Sequence, residues 1–391
     1  MSHKEKRVYL EAICRRYRKS GRAKKAKILD EFCAVCGYNR KYAIRILKHP
    51  KKKKRQKCGR KPRYDAQKIL IPLKAIWFAS DQMCSKRLKA VLPQWVPHYE
   101  TAHGSLDDSI RGQLLNLSPA TIDRLIKPIR VEHKRKGLSG TKPGRLLKNQ
   151  IPIKTDHWDV TKPGYLEADS VAHCGNSLAG DFAWSLTLTD IHSTWTEIRA
   201  TWNKGASGVI TQIKDIEKSL PFEILGFDCD NGSEFLNHHL VRYFTKRDEG
   251  KVVQFTRSRP YHKNDNAHVE QKNWTHVRHL FGYDRFDDFR LIDLMNDLYK
   301  NEWSLYQNYF CPSMKLIEKK KINSKYYKRY DKPLTPYQRL MASEDIAQEK
   351  KAVLSKQYKL LNPFVLKQSI ERKLRYIFTF ISVTSNVRQR L

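Results

Sequence analysis

The sequence predicts an α/β protein: a mixed five-stranded sheet with helices on both faces, preceded by all-α basic regions and followed by a basic C-terminal region. Three observations lead there. From Gly164 onward, the runs 165–172, 182–191 and 194–202 are rich in β-branched and aromatic residues and separated by short turns, as in an antiparallel meander. Helices expected at 209–220, 234–246, 265–282 and 287–310 then alternate with strands expected at 223–230 and 252–257, and the order βββαβαβαα implies a mixed sheet covered by helices. The third is charge: 76 Lys+Arg stand against 40 Asp+Glu, a net of +36, and residues 1–70 alone hold 25 basic residues against 5 acidic ones.

An excess of +36 is far beyond what solubility requires and points to a polyanionic partner, most simply nucleic acid. The 40% of hydrophobic residues and eight tryptophans supply material for a core, which excludes wholesale disorder. The first residues are charged and lack the apolar run of a signal peptide, and the longest apolar stretch, 376–383, is too short to span a bilayer. Eight scattered cysteines fit a reducing compartment better than a disulfide framework. The expectation is a cytoplasmic protein without a membrane partner.

The element order divides the chain into six expected parts: 1–50, 51–64, 65–135, 136–154, 155–312 and 313–391. In the first, 23–34 reads as a helix, Cys36-Gly37-Tyr38 as a turn and 39–47 as a second helix capped by Asn39, which is helix-turn-helix spacing. Arg40, Lys41 and Arg45 then lie on the helix that would enter a major groove, although a plain αα-hairpin has the same pattern. The block 51–55 is Lys-Lys-Lys-Lys-Arg, too dense in like charge to bury itself, so 51–64 reads as a basic linker. Its Arg60 and Arg63 would either lie in a minor groove or touch phosphates without reading bases. A second helix-turn-helix candidate falls in 65–135, with a helix at 107–115, Ser118 as N-cap and Pro119 at the first helical position, which puts Arg124 on the outer face. The stretch 136–154 is a Gly-, Pro- and Lys-rich linker, and the residues from 382 onward are expected to be disordered.

Three acids stand out in this basic chain. Asp169 lies late in the first strand, in Glu167-Ala168-Asp169-Ser170, and Asp230 closes the fourth, where Asn231-Gly232 permits a tight exit at the mouth of the sheet. The third, Glu270, follows after 39 intervening residues. At 100° per residue it shares a stripe with Ala267, Asn273, Trp274, Val277 and Phe281, so it is expected to face the core. A lone buried carboxylate is costly, and a divalent cation shared with Asp169 and Asp230 would offset that cost. Glu167 and Asp228, two residues from Asp169 and Asp230, share their strand faces and remain alternative ligands. Lys263, Lys272 and Arg278 flank the acids and are candidate phosphate contacts.

Asp230-Asn231-Gly232-Ser233-Glu234-Phe235, together with Ser258-Arg259-Pro260-Tyr261 leading to Glu270, resembles the DDE transposase and retroviral integrase superfamily over residues 155–312. The Asn-Gly usual before the glutamate in that family is here Asn264-Asp265-Asn266. The resemblance implies a ribonuclease H-like catalytic core with Asp169, Asp230 and Glu270 as catalytic metal ligands. It further implies an insertion-sequence transposase acting on double-stranded DNA, both transposon ends and target, as a homo-oligomer in a prokaryotic, nucleoid-associated setting. Attack on a phosphodiester needs an activated oxygen, relief of negative charge and a stabilised leaving oxygen, all of which two Mg²⁺ ions roughly 3.5–4 Å apart supply, with Mn²⁺ as a substitute. Water would first release a 3′-hydroxyl at the transposon end, and that hydroxyl would then attack target DNA.

Two other readings remain: a nuclease or junction resolvase on the same fold that cuts without joining, and a catalytically inactive DNA-binding regulator. Cys33-x₂-Cys36 lacks histidines at zinc-finger spacing, so no zinc is expected. His173, His192, His262 and His268 lie near the acids and read as structural strand or loop residues.

Overall fold

A computed structural model of the chain describes residues 2–48, 64–132, 161–203, 205–229, 238–245, 253–257 and 267–388, in two compact units, Met1–Arg63 and Tyr64–Leu391. Of the expected linkers 51–64 and 136–154, all but Tyr64 lie outside the described residues.

The first unit is a trio of helices, α1 (His3–Lys19), α2 (Arg22–Cys36) and α3 (Arg40–Lys48). A capping box opens α1: the Ser2 hydroxyl accepts from the Glu5 amide at 3.3 Å, and Glu5 accepts from the Ser2 amide at 2.6 Å. Gly37 ends α2 in the left-handed region, φ +66°, which a residue with a Cβ adopts only at a cost. Asn39 then caps α3 by accepting from the Lys41 amide at 3.0 Å. Ile13, Tyr17, Ile28, Phe32, Ala43 and Leu47 meet in a small core that holds the three helices together. Cys36 is buried there, Cys33 is partly buried, and both are free thiols.

The second unit begins with α4 (Ala66–Ala79), α5 (Ser85–His103), α6 (Asp108–Leu115) and α7 (Pro119–Glu132). The Ser118 hydroxyl accepts from the Thr121 amide at 3.2 Å, the N-cap that the sequence implied. The sheet follows: β1 (Tyr165–Ala172), β2 (Ala183–Asp190), β3 (Thr196–Trp202), β4 (Gly226–Cys229) and β5 (Gln254–Arg257). Its spatial order is β3-β2-β1-β4-β5, with the β3–β2 and β2–β1 pairs antiparallel and the β1–β4 and β4–β5 pairs parallel. That is the expected ribonuclease H-like sheet. Nearly every residue of β2 and β3 is buried, and because successive side chains point to opposite sides, both faces of the sheet must be covered.

The covering helices include α8 (Ala206–Ser219), α9 (His238–Thr245), α10 and α11. Helix α10 starts at Ala267–Lys272, widens into a π-helical segment, Asn273–Arg278, and closes with an α turn, His279–Phe281. Helix α11 is built alike: Leu291–Leu298, a π segment Tyr299–Trp303, then Ser304–Phe310. Beyond it come a hairpin, β6 (Leu316–Ile322) and β7 (Lys325–Tyr330), and the helices α12 (Pro336–Ala342), α13 (Gln348–Leu360) and α14 (Pro363–Arg388). Helix α14 continues to Arg388, into the tail from 382 expected to be disordered, and earlier along it Ile370 and Ile377 are at most 1% exposed. No helix among the described residues is long and apolar enough to cross a membrane.

The structure differs from the sequence reading in how these regions are joined. Three expected domains, 65–135, 155–312 and 313–391, form one unit with a shared apolar core. The cause is one face of α5: Leu88, Val91, Leu92, Trp95, Val96 and Tyr99 are all buried. Trp95 meets Tyr306, Phe310 and Phe364 edge-on, with ring centroids 6.3, 6.2 and 5.5 Å away, and its indole N–H donates to the Phe310 carbonyl at 3.3 Å.

Candidate active site

The site is built on the middle of the sheet. Strand β1 sends Glu167 and Asp169 to one face, since residues two apart share a side. Glu167 is 3% exposed, and its Oε2 accepts from the backbone N–H of Val269 at 3.0 Å. A carboxylate there satisfies an otherwise orphaned amide in the first turn of α10 and meets the positive end of its dipole. Asp169 takes a different partner one turn further on: its Oδ2 accepts from the Asn273 side-chain amide at 2.6 Å, while Oδ1 accepts from the Ser170 amide at 2.7 Å. Two hydrogen bonds thus fasten α10 across β1.

Glu270 lies between the two attachment points, in the first turn of α10 and three residues before Asn273, so the two side chains are neighbours on the helix surface. Glu270 is exposed, against the expectation that it faces the core. Of the expected stripe Val277 and Phe281 are buried; the other buried positions of α10 among the described side chains are Val269, Lys272, His276 and Leu280. A wheel drawn at 100° assumes α geometry throughout, and the i→i+5 bonding of the π segment shifts the later residues relative to the first turn.

On the neighbouring strand, Asp228 stands in register with Glu167 and is 7% exposed. Its Oδ1 accepts from the Thr256 hydroxyl on β5 at 2.7 Å. Glu167 and Asp228 therefore serve α10 and β5, whereas Asp169 stands beside the surface on which Glu270 is displayed. Strand β4 ends at Cys229, paired with Ala168. Asp230, the next residue in sequence, lies outside the described residues, as do Arg60, Arg63, Lys263 and residues 231–235 and 258–266.

One buried atom bears on whether these residues suit a cation. The Oδ1 of Asn273 is buried and has no hydrogen-bond partner, and it sits on the same amide that grips Asp169. Carboxylate and amide oxygens are the donors that Mg²⁺ takes, so the residues on this face fit such an ion. No group of three or more His, Cys, Asp or Glu side chains stands assembled at metal-binding distances among the described residues.

Of the basic candidates, Lys272 is a correction. It is 8% exposed and turned into the protein, where desolvation first and Arg87 second hold its ammonium down to about 7, so burial keeps it from presenting its charge on this surface. Its place in the turn after Val269 makes it part of the buried stripe that the wheel misassigned. Arg278 is half-buried, its pKa lowered by burial, with its guanidinium 4.7 Å from the centre of the Tyr283 ring and donating to the Gly282 carbonyl at 3.3 Å. Arg124 is exposed and folds back on the Ala120 carbonyl and the Thr121 hydroxyl. In the first unit Arg40, Lys41 and Arg45 are exposed on α3; Arg40 pairs with Asp30, and Arg45 lies 5.0 Å from the Tyr42 ring centre.

His173 is core, as expected. It is fully buried, its Nε2 is 2.7 Å from the Ser185 hydroxyl, which in turn is 2.7 Å from the Tyr299 hydroxyl, and burial drives its pKa down to about 3. Sequence reasoning missed Asn273 as the partner of Asp169; the available signal was a polar residue one turn after Glu270 in an otherwise apolar stripe.

No family model matches the chain. The uncharacterized protein y4rM of Sinorhizobium fredii (strain NBRC 101917 / NGR234) is 41% identical over 340 residues, which span 84% of this chain and 93% of that protein. This chain belongs to the y4rM family. Among solved structures, the y4rM-family chain overlaps the HTLV-2 integrase catalytic core domain in complex with magnesium over 39% of its own length and 90% of that chain, at a TM-score of 0.28 and 15% identity. The catalytic core domain of BIV integrase covers 31% of the y4rM-family chain and 70% of its own, at a TM-score of 0.24 and 18% identity. The ribonuclease H-like character of the y4rM-family sheet stands on its own strand order and directions.

Proposed function

We propose that the protein is a DNA transposase of the DDE type, which binds transposon ends, cleaves them by metal-dependent hydrolysis and joins the resulting 3′-hydroxyl to target DNA. The observation that carries this reading is the bond from Asn273 to Asp169, which brings a carboxylate of the central strand of a ribonuclease H-like sheet against the helix displaying Glu270. The net charge of +36 supports a DNA substrate.

In this reading Asp169, Asp230 and Glu270 hold two magnesium ions, with manganese serving in their place. When bound, such ions relieve the negative charge of a phosphodiester and lower the pKa of an attacking water or hydroxyl. The chain's own residues do the positioning. Asn273 keeps the Asp169 carboxylate from rotating away from α10, and Glu167 fixes the first turn of α10 and with it the direction of Glu270. Arg40, Lys41, Arg45, Arg60, Arg63, Arg124, Lys263 and Arg278 supply charge for DNA phosphates, and Lys272 is set aside because it is buried. The protein works as a homo-oligomer on DNA in a prokaryotic cytoplasm, because two DNA ends must be held together for joining.

The test is cleavage and strand joining on oligonucleotides carrying the element's ends, with Mg²⁺ or Mn²⁺. Asp169→Asn and Asp230→Asn should each abolish both steps while duplex binding persists. Cleavage without joining would move the protein to the nuclease class, and binding without either step would make it a regulator.

A further inference from the structure

The hairpin β6–β7 takes no part in the sheet or the site above. Its strands pair Lys319 with Lys328, Lys320 with Tyr327, and Lys321 with Tyr326, and they turn through Asn323 at φ +54°. Every residue of β7 is exposed. Segment 316–330 holds five lysines and one arginine against a single glutamate.

The two faces of the ribbon differ. Glu318 lies on one, where it accepts an ion pair from Lys320 at 2.6 Å and another from Arg329 at 3.7 Å. The other carries Lys319, Lys321, Tyr326 and Lys328 and no acid. Lys319 and Lys321 sit 4.5 and 6.0 Å from the centre of the Tyr326 ring, which forms a flat floor between them. Lys319 stands directly opposite Lys328, and like charges across a strand pair are destabilising. A lone two-stranded ribbon buries too little to absorb such repulsion easily.

The ribbon is nonetheless fixed at its root. The Lys315 amide donates to Asp331 Oδ1 at 2.6 Å, the Asp331 amide donates to the Lys315 carbonyl at 2.9 Å, and Arg339 pairs with Asp331 at 2.7 Å. Lys315 Nζ donates to the His192 carbonyl at 2.7 Å, and the Ser313 hydroxyl is 2.8 Å from that of Thr194, which ties the root to the turn between β2 and β3. A firmly mounted arm whose acid-free face repels itself is suited to a partner that supplies dense negative charge.

We propose that β6–β7 is a duplex-binding arm that lays Lys319, Lys321 and Lys328 against the phosphates of double-helical DNA. A two-stranded ribbon is also the width that the major groove of B-form DNA admits, about 12 Å. This rests on the transposase reading only for the identity of the polyanion.

The experiment measures binding of the full-length protein to a labelled duplex of arbitrary sequence across a salt series. The triple variant Lys319→Ala, Lys321→Ala, Lys328→Ala should bind more weakly and make the negative slope of log K against log salt shallower by about 2 to 3, near 0.9 per lost phosphate contact. The corresponding triple Lys→Arg variant should restore both. An alanine variant with the wild-type slope overturns the arm, and so does one that loses only its binding to phosphatidylserine vesicles. If the wild type binds duplex through these lysines yet neither cleaves nor joins, the arm stands and the transposase reading falls.

Discussion

Asn273 and Asp169 are 104 positions apart in sequence and joined by a hydrogen bond of 2.6 Å, from the side-chain amide of a helix to a carboxylate on the central strand of the sheet. Replacing Asn273 by Ala should slow metal-dependent cleavage by about 10- to 100-fold, the usual range when the group that orients a metal ligand is removed, with duplex affinity unchanged. A cleavage rate equal to wild type would deny Asn273 its positioning role.

His173 makes stability depend on acidity. Burial lowers its pKa from 6.5 to about 3 in the folded chain, so between those values the unfolded chain binds the additional proton. The stability this group contributes is full above about pH 6.5 and declines as pH falls toward 3, by about 1.4 kcal/mol per pH unit within the window. Urea unfolding of wild type and His173→Gln at pH 7 and pH 5 should show the smaller loss in the variant; equal losses would contradict a neutral buried imidazole.

Arg199 and Glu197 form a buried ion pair on β3, 3.1 Å apart, with side chains 2% and 5% exposed. Glu197 also accepts from the Trp195 indole at 3.0 Å and from the Ser304 hydroxyl at 2.7 Å. Arg199→Ala would strand a buried carboxylate and should cost about 3–5 kcal/mol of unfolding free energy. Replacing Glu197 and Arg199 together by apolar residues should cost less than the single change, which a double-mutant cycle would reveal.

Trp95 joins the leading helices to the rest of the second unit. Trp95→Ala removes three ring contacts and a hydrogen bond at a fully buried position, and should cost about 3–5 kcal/mol. Limited proteolysis should then cut first between residues 64 and 132; an unchanged digestion pattern would argue against a shared core.

The strands of the sheet were legible because Val, Ile, Thr and aromatic residues cluster where the chain is pleated, and their order alone constrained the topology. Ser118 and Asn39 announced their helices through local hydrogen bonds that any sequence window contains. The direction of Glu270 was not legible, since the π segment after it depends on how α10 packs across β1 rather than on its own residues. Nor was the merging of three regions into one unit, which depends on Trp95 meeting Phe310 and Phe364 across more than two hundred residues. The hairpin escaped notice because lysine-rich sequence reads as solvated loop, and only pairing with Tyr326 and Tyr327 gives it a strand's shape. Glu167 and Asp169 share a strand face that sequence alone could not resolve further; in the structure they take separate partners, Val269 and Asn273.

The shared core has a consequence for how the chain is made. Ile370 and Ile377 of α14 are among its most deeply buried members, yet they are synthesised more than 250 residues after α5. Until then the part of α5 that Phe364 covers, at Trp95 and Tyr99, waits without that partner, a window in which nascent chains are prone to stick to one another. A chain broken between α5 and α14 would therefore yield an adhesive fragment rather than a smaller working protein.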